Sequence, residues 1–311
     1  MTEERISPFL VRRRDALRLA AAASLGAAAL PLFAQSPEAK KLPRLITVSG
    51  AITEVVYLLG AEGQLVGTDT TSLYPAAARG TPKVGYMRQL SAEGLLSLKP
   101  DAVIATNESG PPVVLDQVRS AGVEVEIVQA DHSWGEVQRK MQVVGRAAAR
   151  EAQARALQVK LDAEWAQVQQ RVAAAQGRKP RVLFVLSHSA SPQVSGEKTA
   201  AHAVIGYAGG VNALGGFEGY RPMTAEAMAT AAPDIVMTSD QSIEAHGGVE
   251  RFWQRPELAL TPAFRKRSLV TLDALLLLGF GPRMPAAIAE LHPRFMACLL
   301  YTSPSPRDQR G

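Results

Sequence analysis

A proline-free stretch rich in Ala, Gln, Arg and Glu, residues 135–176, separates two halves of the chain that follow the same local plan. Before it, Ser91-Ala92-Glu93 opens a short helical run that ends at Pro100-Asp101 and leads into the apolar strand pattern Ala102-Val103-Ile104. After it, Thr224-Ala225-Glu226 leads at the same spacing into Pro233-Asp234 and Ile235-Val236-Met237. Ser91 and Thr224 suit helix N-caps, and each is followed by a carboxylate in the first turn, where the helix dipole favours negative charge. A chain organised this way is expected to fold as two similar lobes. A helix over residues 151–175 would span about 40 Å, which suits a rod joining two lobes. Gly145 and the Arg150-Glu151 region predict two helices in the central stretch rather than one.

Each half reads as alternating strand and helix. Strands are expected at 45–48, 65–68, 102–105 and 123–128, with helices at 52–59, 92–98 and 113–121. The run Val182-Leu183-Phe184-Val185-Leu186 opens a second sheet. Strands that alternate with short helices pair in parallel and are covered on both faces. The expected class is therefore α/β: two lobes with mostly parallel central sheets, residues 43–148 and 177–297, joined by one long backbone helix, residues 149–176.

Residues 1–34 read as an export signal. Arg12-Arg13-Arg14-Asp15-Ala16-Leu17-Arg18 precedes an alanine-rich apolar run broken by Gly26 and Pro31, and Ala34 offers a cleavage point. Arg13-Arg14 fits a twin-arginine signal as well as a general secretory one. The run is too short and too weakly apolar to anchor permanently. Residues 35–42 read as a linker. Without the signal, the formal charge of +5 falls to about +3, too small and scattered for a nucleic-acid surface. Cys298 is the single cysteine, so disulfides cannot brace the fold. Residues 298–311 lack periodicity, resemble translated sequencing-adapter sequence, and are set aside as a non-native tail.

Two motifs carry the chemistry. Gly67-Thr68-Asp69-Thr70-Thr71-Ser72-Leu73-Tyr74-Pro75 is followed by Lys83-Val84-Gly85-Tyr86-Met87-Arg88-Gln89-Leu90-Ser91-Ala92-Glu93. With Gly50-Ala51-Ile52-Thr53-Glu54, Pro192-Gln193-Val194-Ser195-Gly196 and Gly279-Phe280-Gly281-Pro282-Arg283, they resemble the haem-binding periplasmic proteins of bacterial haem-uptake ABC transporters. The resemblance covers about residues 43–297. It implies the class III arrangement of periplasmic binding proteins, ferric haem as the transported ligand, a permease dimer as partner, a periplasmic location and no enzymatic role.

On that resemblance Tyr86 is the axial ligand to ferric haem iron. A phenolate is a hard anionic oxygen donor suited to Fe(III), and iron with a neighbouring cation favours its ionisation. Arg88 supplies such a cation or pairs with a haem propionate through its planar fork. His188, just after the first strand of the second lobe, is a candidate second ligand, because ligand sites in α/β folds form at the carboxyl ends of parallel strands. Arg251 is a candidate for the other propionate. Tyr74 and Met87 are candidates to pack on the porphyrin, as are Tyr220, Met223 and Met284. The resemblance gives Glu93 and Glu226, one per lobe, to docking on the permease.

The same fold carries corrinoids and ferric siderophores, which stay as alternative cargoes. An exported hydrolase built on Ser187-His188 lacks a Gly-x-Ser-x-Gly elbow. A zinc or manganese carrier lacks a converging cluster, since His132, His202, His246 and His292 show no metal-ligand spacing. A monomer with modest lobe movement is expected.

Overall fold

The computed structural model describes residues 41–187 and 192–300. Leu45–Thr47 (β1) is buried throughout and pairs in parallel with Leu65–Thr68 (β2) on one edge and Ala102–Thr106 (β3) on the other; Glu124–Val128 (β4) lies outside β3. Gly50–Leu58 (α1), Ala92–Ser97 (α2) and Pro112–Ser120 (α3) are the crossovers. Every position of β3 is buried, as an unbroken apolar strand covered on both faces requires.

The central stretch is two helices, Trp134–Ala147 (α4) and Glu151–Ala174 (α5). They approach closely at Gly145, where a Cβ would stand 2.5 Å from that of Ala154. The buried positions of α5 are Ala154, Leu161 and Val168, a stripe with a seven-residue repeat on an otherwise solvated rod about 36 Å long. An aromatic ladder crosses the rod: Trp134 stacks on Trp165 at 5.0 Å, and Tyr207 meets Trp165 edge-on.

In the second lobe Arg181–Leu186 (β5) is central. Two edge segments share one side of it: Gln193–Ser195 (β6) pairs antiparallel with its end, and Val211–Asn212 (β7) pairs parallel with its start. Tyr220–Pro222 (β8) extends β6, while Ile235–Ser239 (β9) and Leu269–Leu272 (β10) continue the parallel sheet on the far side. The parallel order β7-β5-β9-β10 reproduces β2-β1-β3-β4. The antiparallel β6–β8 ribbon is the departure from the mostly parallel expectation. The helices of this lobe are Ala200–Tyr207 (α6), Ala225–Ala231 (α7), Asp240–Ala245 (α8), Val249–Phe252 (α9), Pro262–Lys266 (α10), Ala274–Leu278 (α11) and Met284–Leu300 (α12). α12 runs past residue 297, and Cys298 packs against the core. No helix among the described residues is long and apolar enough to cross a membrane.

The internal repeat extends to side-chain detail. Ser91 caps α2 by accepting from Gly94 N, and Thr224 caps α7 by accepting from Ala227 N. Asp101 accepts from Arg44 N at 2.8 Å, and Asp234 from Arg181 N at 2.8 Å, so each Pro-Asp turn fixes the start of its lobe's central strand. Both arginines reach back to the helix before that turn: Arg44 to Leu98 O and Arg181 to Ala231 O.

Candidate functional site

A cavity of about 880 Å³ lies where the carboxyl end of the first sheet meets the segment joining β10 to α12. That volume is in the upper part of the range for small-molecule sites. Its first-lobe wall is built on Asp69, which is fully buried. One carboxylate oxygen accepts from Ser49 N and Ser72 Oγ, and the other from Thr71 N and Thr71 Oγ1. A hydroxyl chain, Thr47–Thr53–Ser72 with 2.7 Å links, continues beneath it. Lys83 Nζ donates to Thr68 Oγ1, Ser72 O and Ala78 O, stapling the loop between β2 and α2.

This scaffold aims Tyr86. Val84 N donates to Thr68 O and Thr70 N to Gly85 O, so residues 84–85 hang on the end of β2. Gly85 has φ +105°, a conformation that disfavours side chains, and Gln89 N closes a turn onto Tyr86 O. Tyr86 and Met87 line the cavity, and Tyr86 is 43% exposed. Tyr74 and Leu73 line the same wall, with Leu275 and Leu278 opposite.

Arg88 stands just outside the lining and pairs at 3.6 Å with Glu108, which does line the cavity. Tyr220 of β8 is close enough to feel both charges. Burial pushes its phenol up to about 12; Glu108 adds to this and Arg88 opposes it. Arg251 lies on α9 and is not part of the cavity wall among the described residues. His188 lies outside the described residues, as do the export signal and residues 301–311. Glu93 and Glu226 are exposed in the first turns of α2 and α7, at equivalent places in the two lobes. Among the described residues no three His, Cys, Asp or Glu converge as a metal site.

The floor holds polar groups that the sequence reading did not assign. Lys140, 1% exposed, donates to Glu136 Oε1 at 2.6 Å and to Gly279 O and Phe280 O at 3.0 Å, bridging α4 to the second lobe. Glu136 Oε2 accepts from the backbone N of Asp131 and His132, and the His132 ring leans on Phe280. Arg283 Nε donates to Glu54 Oε1 at 2.8 Å, and its guanidinium lies 3.6 Å over the Tyr74 ring. Burial raises the Glu54 carboxyl, and the Arg283 bond opposes this. The sequence marks parts of this floor: Glu54 and Arg283 each end a sequence motif, and Lys140 falls on the buried stripe of α4 with Val137, Met141 and Val144, four residues after Glu136.

Comparison with known proteins agrees with this architecture. The solved periplasmic haem-binding protein BhuT, in complex with two haems, is 46% identical; the match covers 83% of this chain and 99% of that one, with a TM-score of 0.78. The periplasmic haem-binding protein RhuT from Roseiflexus sp. RS-1, in apo form, matches the same shares at 36% identity and TM-score 0.78. A periplasmic haem-binding protein from Pseudomonas aeruginosa is 36% identical, with 82% and 93% covered and a TM-score of 0.75. Among curated proteins, the ABC transporter substrate-binding lipoprotein YvrC of Bacillus subtilis is 25% identical, over 81% of this chain and 80% of its own. A vitamin B12-binding protein of Vibrio vulnificus is 30% identical over 31% of this chain and 35% of its own. The periplasmic binding protein family matches residues 45–276, and the chain belongs to that family.

Proposed function

We propose that this protein is an exported periplasmic carrier that takes ferric haem into the cavity between its lobes and delivers it to the permease of an ABC importer. The observation that carries the reading is Tyr86, an accessible phenol held by a braced turn on the wall of a largely apolar cavity. A hard oxygen donor beside apolar surface suits a flat ring with Fe(III) at its centre. Tyr74 and Met87 then pack on the porphyrin, and His188 supplies a second ligand from the other lobe. Arg88 neutralises charge at the rim beside Tyr86. Arg251, which does not line the cavity among the described residues, is the candidate partner for the other propionate. Glu93 and Glu226 dock on the permease dimer, and the carrier acts as a monomer without catalysis.

The haem-binding neighbours at 36–46% identity match most of the chain and support haem over a corrinoid. The vitamin B12-binding relative aligns with about a third of it. The test is titration with hemin: wild type is expected to give a ferric haem spectrum that Tyr86→Phe largely abolishes. A flat titration with wild type would sink the reading.

A further inference from the structure

We infer that Arg283 is a carboxylate-binding residue of the cavity, taking a propionate of the tetrapyrrole on the guanidinium edge that Glu54 leaves free; this rests on the haem reading above. Arg283 stands where the segment after α11 enters α12, and two contacts fix it. Glu54, 3% exposed, takes the Nε hydrogen. The Tyr74 ring covers one face of the guanidinium. The remainder faces the cavity, and the side chain is 26% exposed. A guanidinium carries five N–H donors in a rigid fork. Among the described residues no protein acceptor meets Nη1 or Nη2, so the terminal edge is free to grip a carboxylate through both nitrogens.

The other cations near the cavity are differently placed. Arg88 is paired with Glu108 and stands outside the lining. Arg79 lines the cavity but is exposed, its Nε reaching Leu73 O at 3.2 Å. Lys140 lines the floor but spends its hydrogens on Glu136, Gly279 O and Phe280 O, so Arg283 alone of these cations is fixed by a buried carboxylate and an aromatic face with donors to spare. Leu275 and Leu278 line the cavity with it, providing apolar surface for the ring that carries the propionate. Because Glu54 belongs to the first lobe and Arg283 to the second, a ligand held by Arg283 is also held against the bridge between lobes.

The experiment compares hemin with hemin dimethyl ester, in which both carboxylates are masked. Wild type, Arg283→Ala and the double variant Arg283→Ala/Glu54→Gln are titrated with each ligand. The double variant leaves no unpaired buried carboxylate, and a thermal melt checks its folding. The preference of wild type for hemin over the ester is expected to shrink on the order of tenfold in both variants, through weaker hemin binding. The ferric spectrum, set by Tyr86, is expected to stay as in wild type. An unchanged preference in the folded double variant would overturn the inference, as would an equal loss for both ligands. Wild type that binds neither ligand would instead overturn the haem reading itself.

Discussion

The ammonium of Lys140 lies 2.6 Å from the Glu136 carboxylate with both side chains almost wholly buried, and it spends its other hydrogens on two carbonyls of the opposite lobe. Desolvating two ions is costly, and that cost is offset only when the remaining donors and acceptors are satisfied. Here they are: Glu136 also accepts two backbone N–H groups, and Lys140 also reaches Gly279 O and Phe280 O. The Gly279–Arg283 segment is thus fastened to the first lobe at both ends, by Lys140 and by the Arg283–Glu54 pair. Fixing the lobes this way favours small movement over wide closure.

Lys140→Met is expected to destabilise the protein by about 3–5 kcal/mol, because it leaves Glu136 charged, buried and short of its partner. Adding Glu136→Gln should recover a large part of the loss. Urea unfolding of the two variants beside wild type measures both quantities. Equal stability of wild type and Lys140→Met would show that the pair contributes nothing.

Much of this fold is legible in the sequence. The repeat of capped helix, Pro-Asp turn and buried strand located both lobes, since each element follows from local chemistry: a hydroxyl cap, a proline break, an apolar run. Tyr86 and Met87 were legible through a motif, and both line the cavity. The pairing in the floor was not. Glu54 and Arg283 are 229 residues apart, and no local pattern says that a carboxylate on α1 will meet the segment before α12. Lys140 is ambiguous for a related reason, because a lysine on an apolar stripe usually reaches solvent along its own stem. Arg251 is a different case: charge and residue type suit a propionate, but among the described residues it does not line the cavity. The antiparallel β6–β8 ribbon also escaped, because strands that short carry little periodicity.

Asp234 offers a test of how the repeat holds each sheet. Burial pulls its carboxyl up, but the Arg178 bonds and Arg181 N outweigh burial and hold it below its ordinary range. A carboxyl depressed in the folded state adds stability above its unfolded pKa, near 3.9, and loses it as pH falls through the folded value. Asp234→Asn is therefore expected to cost about 1–2 kcal/mol near neutrality. The gap to wild type should close as pH drops below about 4. Urea midpoints at several pH values measure it, and a gap that is constant in pH would contradict the assignment.

Tyr220 should remain protonated far into the alkaline range, because burial pushes its phenol up to about 12, with Glu108 adding to the effect and Arg88 opposing it. Titrating tyrosinate absorbance in the ligand-free protein is expected to show a late component that Tyr220→Phe removes, beside the phenol of Tyr207, which burial also raises. Loss of an early component would mean that the ring is not held as described. It follows that an alkaline spectral transition of the haem complex well below pH 12 belongs to another group.

Glu93 and Glu226 have equivalent places in the repeat, and neither forms an ion pair among the described residues. Their helices precede β3 and β9, so both first turns lie toward the carboxyl edges of the parallel strands, where the cavity opens. Within the protein such a residue contributes only about 0.3–1 kcal/mol through the helix dipole, and the Ser91 and Thr224 caps do not depend on it. Exposed carboxylates at matched positions instead suit basic groups on two like subunits, where replacing attraction by repulsion is severe. Glu93→Arg/Glu226→Arg is therefore expected to bind hemin like wild type while lowering transport by the permease at least about tenfold, with either single variant intermediate. Hemin titration and uptake into vesicles bearing the importer measure the two halves separately. Full transport by the double variant would remove these carboxylates from the docking surface, and a loss of hemin binding would place their effect inside the carrier.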